Sequence, residues 1–266
     1  YGVAYQRQGK HLFTSAFLKR HSGLGPGGPG AIYLSDLAGN HSVFITLPSA
    51  ATAITAAGST TVLSNTDRAL SNLAATPNYD PSVFDQVGKA GLGDLEVSDD
   101  GTELYVVNLG DRKLYRIPIN NPTSLTPTAG TPTSYTIPAP SLRTGSQFRP
   151  FGLKYYRDRV YVGGVTTNEA VSTTISFGLG STDNSIPLQT RDTTGMKAVV
   201  YEFNPVNGSF TTVLTFPLTY KKGATNNDKD GSSRAEYWFP WVDTQAPNSF
   251  LSRYARNDLP NASHPQ

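Results

Sequence analysis

Three segments of the chain share one alternation of apolar and polar positions. The first runs from Gly2-Val3-Ala4-Tyr5 through a polar turn at Gln8-Gly9-Lys10 into Leu12-Phe13-Thr14-Ser15-Ala16. The second runs from Gly93-Asp94-Leu95-Glu96-Val97 through Asp99-Asp100-Gly101 into Leu104-Tyr105-Val106-Val107. The third runs from Gly152-Leu153-Lys154-Tyr155 through Arg157-Asp158-Arg159 into Val160-Tyr161-Val162-Gly163. Each opens on a Gly, and each second run is centred on an aromatic. Period-two alternation across a short polar turn predicts a β-hairpin.

Two further strands follow each hairpin. Tyr-centred runs come next: Ala31 to Leu34, Lys113 to Ile117 and Ala198 to Phe203. The closing runs are Ser42 to Ile45, Thr133 to Ile137 and Phe210 to Leu214. Four antiparallel strands repeated in this way describe the blade of a β-propeller. The expected fold is all-β and propeller-like, with three recognisable blades over residues 1–244. A fourth unit is expected to start at Tyr237-Trp238-Phe239-Pro240-Trp241-Val242. The expected core is Tyr5, Phe13, Leu95, Tyr105, Leu114, Leu153, Tyr161, Val199 and Tyr201, which occupy repeated strand positions.

The repeat is stretched. Its opening glycines stand at positions 2, 93 and 152, further apart than the roughly 40–50 residues of compact blades. Insertions at about 48–91 and 166–195 take up the excess. Within the first, Asp80-Pro81 followed by Val83, Phe84 and Val87 and stopped by Gly88 predicts a short capped helix. Residues 245–266 are polar and rich in Pro and Asn, and are expected to form an irregular C-terminal arm. A propeller ring has about four to eight blades. Blades therefore lie outside this chain, or degenerate ones lie in the insertions, or the sheet closes in another way.

Composition fits half-exposed strands and turns. Only 37% of the 266 residues are hydrophobic and 16% charged, with 25 Gly and 19 Pro. That argues against a helical bundle and a coiled coil, while 11% aromatics and a net charge of +2 argue against disorder. No block of basic residues offers a footprint for nucleic acid or an anionic membrane. No stretch approaches the roughly 18 apolar residues of a membrane span. Cysteine is absent, which excludes disulfides, thiol nucleophiles and thiolate metal sites. The chain begins at Tyr1 without a signal-peptide pattern and is read as a mature or trimmed product.

Several of these stretches also carry a family likeness. The run Phe84-Asp85-Gln86-Val87-Gly88-Lys89 into Gly91-Leu92-Gly93-Asp94-Leu95, together with Asn108 to Tyr115, resembles the propeller segments of large bacterial surface and secreted proteins. Those segments often precede immunoglobulin-like B-repeat or adhesin modules. Phe17-Leu18-Lys19-Arg20-His21 before a Gly-rich loop, and Arg149-Pro150-Phe151-Gly152, fit the same resemblance. It covers most of residues 1–243 and implies a propeller-like fold in a cell-surface setting. It brings no catalytic motif with it.

Candidate chemistry is sparse. Gly23-Leu24-Gly25-Pro26-Gly27-Gly28 matches a dinucleotide fingerprint formally. Pro26 and Pro29 interrupt it and a strand follows, so it is read as a loop between the second and third strands. Asn226-Asn227-Asp228-Lys229-Asp230-Gly231 resembles the start of a calcium loop, with Asp228 and Asp230 as candidate ligands for Ca2+. Its twelfth position holds Tyr237 in place of Glu, and Arg234 adds positive charge, which favours an exposed hydrated loop. His11, His21, His41 and His264 lack zinc-ligand spacing. His21 beside Lys19 and Arg20 is a candidate for the propeller mouth or for a charged loop. Asp94 and Glu96 share one strand face and are read as solvated, with Asp99 and Asp100 in a turn. Asn40, Asn207 and Asn261 begin Asn-X-Ser sequons and are glycosylation candidates.

These features favour a non-enzymatic extracellular or cell-surface protein, structural or adhesive, acting as a subunit or module of a surface or filamentous assembly. No catalytic or cofactor-binding residue is assigned. Its expected partners are further copies of itself, other surface-protein domains or glycans, and neither nucleic acid nor inserted membrane. The alternatives are a secreted propeller hydrolase or lyase of lactonase type, with a metal in the central channel, and a glycan-binding module. The last would use Trp238 and Trp241, whose alternating positions otherwise suit a core strand.

Overall fold

The structure is a computed structural model that describes residues 2–55, 58–70, 80, 82–83, 86–169, 193–220, 238 and 241. Every described element is a strand. The first sheet is built from β1 (Val3–Gln6), β2 (His11–Ser15), β3 (Ala31–Ser35) and β4 (His41–Thr46), antiparallel and in chain order. A hairpin of β5 (Thr52–Thr55) and β6 (Gly58–Thr61) lies in the first insertion. The second sheet has β7 (Leu92–Val97), β8 (Glu103–Asn108) and β9 (Lys113–Asn120). Both β10 (Thr128–Ala129) and β11 (Thr133–Thr136) pair with the far side of β9. The third sheet is β12 (Phe148–Tyr156), β13 (Arg159–Thr166), β14 (Lys197–Asn204) and β15 (Ser209–Pro217), again in chain order.

These three sheets are the three expected blades, and the chain is propeller-like. The first strand of each blade is the innermost, and β7 packs between β1 and β12. Two apolar layers fill the gaps between blades. Ala4, Phe13, Ile32 and Leu34 of blade 1 meet Leu95, Leu104, Val106 and Ile117 of blade 2. On its other face, blade 2 presents Tyr105, Val107 and Leu114 to Leu153, Val160, Val162, Tyr201 and Phe203 of blade 3. Period two therefore serves both layers, because each middle blade buries both of its faces.

The opening glycines have a steric reason. A Cβ on Gly2 would stand 2.6 Å from the backbone nitrogen of Leu95, and one on Gly93 would stand 2.8 Å from the carbonyl oxygen of Phe151. Only glycine lets the innermost strands of neighbouring blades come this close.

Two expectations need correction, and a third falls largely outside the described residues. No helix forms among the described residues of the segment 80–90. Turns occur instead, with backbone bonds from Val87 to Val83 and from Ala90 to Gln86. Residues 81, 84 and 85 lie outside the described residues. Seven of the nine expected core residues are buried, but Tyr5 is 54% exposed and Tyr161 is half-buried. Both stand on blade faces that no other described blade covers. Trp238 and Trp241 are half-buried and belong to no strand, while the rest of the expected fourth unit and the arm 245–266 lie outside the described residues.

Candidate functional site

The hairpin turns of the innermost strands converge at one end of the blades, around a polar cavity of 390 Å³. Tyr5 reaches it from β1 and Arg7 from the turn that follows, Glu96 from β7 and Asp99 from the turn that follows, and Lys154 and Tyr155 from β12. Lys154 Nζ donates to Glu96 Oε1 at 2.7 Å, which links blades 2 and 3. Gln8 Nε2 donates to the Asp99 carbonyl at 3.1 Å, which links blades 1 and 2. Asp94 accepts from the Leu153 amide at 3.3 Å. Asp94 and Glu96 thus tie neighbouring blades together, Glu96 through an ion pair that stays open to solvent. Tyr155 donates to Asp158 at 3.2 Å. Its phenol is pushed up to about 12, first by burial and then by Asp158. At neutral pH it is a hydrogen-bond donor and no base. Two cations and two carboxylates line the cavity, so the site suits a neutral polar group better than an ion.

A second cluster sits where β12 begins, at the opposite end. Arg149 donates through Nε to Glu169 Oε1 at 2.6 Å and through a terminal nitrogen to Glu169 Oε2 at 2.8 Å. Thr167 Oγ1 donates to Oε1 of the same carboxylate at 2.8 Å. Lys89 Nζ lies 3.6 Å from Glu169 Oε2 and 5.5 Å from the centre of the Trp241 ring. The Trp241 amide in turn donates to the Thr167 carbonyl at 2.8 Å. Lys89, Arg149 and Glu169 are all buried. Burial would raise the Glu169 carboxyl, but the hydrogen bonds and charge of Arg149, with Lys89, hold it below the ordinary glutamate value. Burial also lowers Arg112, with Arg149 the next cause. The cluster locks β12, the β13–β14 connection and the first insertion together.

A third buried pair fixes the Gly-rich loop. Arg68 donates to Asp80 Oδ2 at 2.6 Å and to the carbonyls of Lys19 and Ser22. The His21 amide donates to Asp80 at 3.1 Å. His21 is thereby held in a structural loop through its backbone. Residues 23–28 connect β2 to β3, as expected, and Leu24 is tied there by Asn65.

Asp80 and Glu169 together predict an acid transition. Burial is the largest influence on each and raises it, but Arg68 for Asp80 and Arg149 for Glu169 leave both net lowered. In the unfolded chain they return to about 3.9 and 4.3. Their contribution is complete above roughly pH 5 and is lost as pH falls toward the folded values. The urea midpoint should be flat from pH 7 to about pH 5 and fall below it, with a shallower fall in Asp80→Asn. A midpoint unchanged down to about pH 3 would refute this reading.

Of the expected modification sites, Asn40 is exposed in the β3–β4 turn, with its amide and side chain bonded to Asp36. Asn207 is exposed in the β14–β15 turn, where its Oδ1 accepts from Ser209. Asn261, Asp228 and Asp230 lie outside the described residues. His11 is buried against Gln6 and the Leu125 carbonyl. Among the described residues, no three His, Asp or Glu side chains come together to hold a metal. Nor does any described helix have the length and apolarity to cross a membrane. The Arg149–Glu169–Lys89 cluster carried no sequence signal. Its members are far apart in the chain, and a buried ion pair has no spacing rule.

No family model matches the chain. Among curated proteins it is 26% identical to Colossin-A of Dictyostelium discoideum over 247 residues, 91% of this chain and 2% of that protein. It is 33% identical to Colossin-D of the same organism over 181 residues, 67% of this chain and 17% of that protein. With Colossin-C it shares 25% identity over 166 residues, 62% of this chain and 14% of that protein. The chain thus spans a fifth or less of each of these relatives. Among solved structures, a protein from Lactobacillus plantarum aligns over 83% of this chain and 59% of its own, with 12% identity and a TM-score of 0.30. The periplasmic gluconolactonase of Pseudomonas aeruginosa aligns over 81% of this chain and 69% of its own, with 10% identity and a TM-score of 0.27. A putative 6-phosphogluconolactonase from Bacteroides uniformis aligns over 85% and 71%, with 14% identity and a TM-score of 0.26. At these scores none of the three structures speaks to the activity of this chain. The curated relatives are not bacterial, so they lend no support to the bacterial adhesin setting expected from the sequence.

Proposed function

We propose that this chain is a non-enzymatic, extracellular structural or adhesive module of a much larger protein. The observation that carries the reading is one of length. The chain aligns with Colossin-A over 91% of its own residues, and that match takes 2% of the relative. A propeller-like unit that matches so small a part of a long chain suits a module that spaces or binds. The sequons support the extracellular half of the proposal, since Asn40 and Asn207 both stand on exposed turns where a glycan meets no packed surface. The axial cavity supports the non-enzymatic half. Glu96 and Lys154 engage each other across it, and Tyr155 stays protonated.

The test has two arms. Peptide mapping of the protein from its natural source should find glycan on Asn40 or Asn207; both unmodified, in a protein recovered from the cell interior, would overturn the extracellular reading. Lactone hydrolysis should stay at the uncatalysed rate with and without added divalent cations. Turnover above that rate, together with a stoichiometric metal in the purified protein, would replace the proposal by the lactonase-type alternative.

A further inference from the structure

The two buried blade interfaces follow one rule, and each end of the blade stack carries one unused half of it. On the face a blade turns toward the next one, its second strand presents an aromatic at a fixed position. The position holds Phe13 in blade 1, Tyr105 in blade 2 and Tyr161 in blade 3. Cross-strand register fixes the equivalence, since Ala4 faces Phe13, Glu96 faces Tyr105 and Lys154 faces Tyr161. Phe13 and Tyr105 are fully buried against the following blade, while Tyr161 is half-exposed. The opposite face receives. There Leu12, Leu104 and Val160 are equivalent, as are Tyr5, Val97 and Tyr155, paired respectively by register. Leu104 and Val160 are fully buried, whereas blade 1 leaves Leu12 exposed by 37% and Val3 by 58%.

We infer that a second copy of this chain covers the open face of blade 1 with the open face of its own blade 3, and does so reciprocally, closing a two-fold ring. The occupant is read from continuity with the interfaces already formed. Blade 1 shows an apolar row of Val3, Tyr33 and Val43, with Tyr5 and Leu12 alongside, on the side where blades 2 and 3 bury theirs. Blade 3 repeats the outgoing row of blade 2. In blade 2 the row is Glu96, Tyr105, Arg116 and Thr133, and in blade 3 it is Lys154, Tyr161, Glu202 and Thr211. Tyr105 stacks on Tyr155 with ring centres 5.8 Å apart. Tyr161 should stack in the same way on Tyr5 of the second copy, the equivalent of Tyr155. The opening glycine agrees. Gly2 and Gly93 are pressed against the next inner strand, but a Cβ on Gly152 meets nothing within 4 Å. Head-to-tail contacts close into a ring when the rotation permits. Three described blades from each copy give six, inside the roughly four to eight that propellers use.

This inference names a partner for the module reading above and rests on it only in treating the chain as a non-catalytic structural module. The experiment is sedimentation velocity on the chain over a concentration series, with circular dichroism on every variant. The wild type should run at twice the mass of the chain. Tyr5→Asp on the receiving face and Tyr161→Asp on the outgoing face should each weaken the dimer by about 30-fold or more, the scale of an interface hot spot. Both should keep a β-sheet spectrum, because neither residue is buried in the single copy. Val206→Asp, on the exposed β14–β15 turn away from both faces, should leave the dimer intact. A wild type that remains at the mass of one chain up to on the order of 100 µM would overturn the pairing. So would a dimer that both face variants leave unchanged, or an open ladder of larger species. Those outcomes would leave the glycan test of the extracellular reading untouched, so the two failures are distinguishable.

Discussion

Replacing Tyr105 by Ala should destabilise the protein by about 3–5 kcal/mol, the range for buried aromatics. Tyr105 is fully buried between blades 2 and 3. Its ring stacks on Tyr155, and its hydroxyl donates to Glu103 Oε2 at 2.5 Å. Glu103 also pairs with Arg116. Truncation therefore removes a packed ring and one partner of a charge-assisted bond at a single site, and the neighbouring sheets cannot slide together to fill the gap. Burial, with Glu103 next, drives the phenol well above its ordinary value, so the hydroxyl stays a donor throughout the working range. Tyr105→Phe separates the two contributions: it keeps the ring and should cost about 1.5–3 kcal/mol, the charge-assisted hydrogen bond alone. Urea unfolding of the three proteins measures both. A loss below about 1 kcal/mol for the Ala variant would mean that the two blades are not packed through this ring. Against a total stability of roughly 5–15 kcal/mol, the expected loss is a third or more of the whole at the low end of that range, enough there to leave part of the protein unfolded at ambient temperature.

The blades were legible because they repeat one physical requirement. A strand buried on both faces of a middle blade still alternates, and its opening glycine is forced by the close approach of inner strands. Gly93-Asp94-Leu95 followed by Asp99-Asp100-Gly101 and Leu104-Tyr105-Val106 carries that requirement in the open, and the strands stand where those runs are. Tyr5 and Tyr161 show the limit of the same pattern. Position within a repeat states which face a side chain is on, but not whether another blade covers that face. The predicted helix failed for a different reason. Asp80, Val83 and Val87 have helical spacing over less than two turns, and Asp80 is drawn off to Arg68 and His21 instead of capping. So short a segment has little helical stability of its own to set against that pull.

The site was less legible than the fold. Asp94 and Glu96 look like solvated acids on one strand face, and only the neighbouring blade shows what they hold: the Leu153 amide and the Lys154 ammonium. The cavity at that end is made by strand ends and turns of three separate repeats, so no local stretch announces it. Arg149-Pro150-Phe151-Gly152 reads as a family-like string, and nothing in it points to Glu169, which arrives from the far end of β13. Contacts between distant segments follow from packing, and packing is not written in a spacing.

Glu169 should be the most sensitive charged residue among those described. Its carboxylate takes two hydrogen bonds from Arg149 and one from Thr167 and faces Lys89, all without solvent. Glu169→Leu leaves the Arg149 guanidinium buried without its carboxylate, a situation that costs about 3–5 kcal/mol in comparable pairs. Removing Arg149 as well should recover part of the loss, because a buried ion pair and an apolar pair of similar volume are often close in energy; the part that stays lost belongs to Lys89, which is buried and still lacks the Glu169 carboxylate. The Arg149→Met, Glu169→Leu double variant is therefore expected to be more stable than Glu169→Leu alone, although Arg149 also gives up a bond to the Ile54 carbonyl. Glu169→Gln tests the charge without the shape. It should lower the urea midpoint at pH 7 and flatten the part of the acid transition that Glu169 supplies, since the lowered carboxyl is then absent from both states. The double-mutant cycle decides between this account and simple side-chain packing. Additive losses at positions 149 and 169, with an acid transition unchanged by Glu169→Gln, would show that the cluster is held by shape and not by its charges.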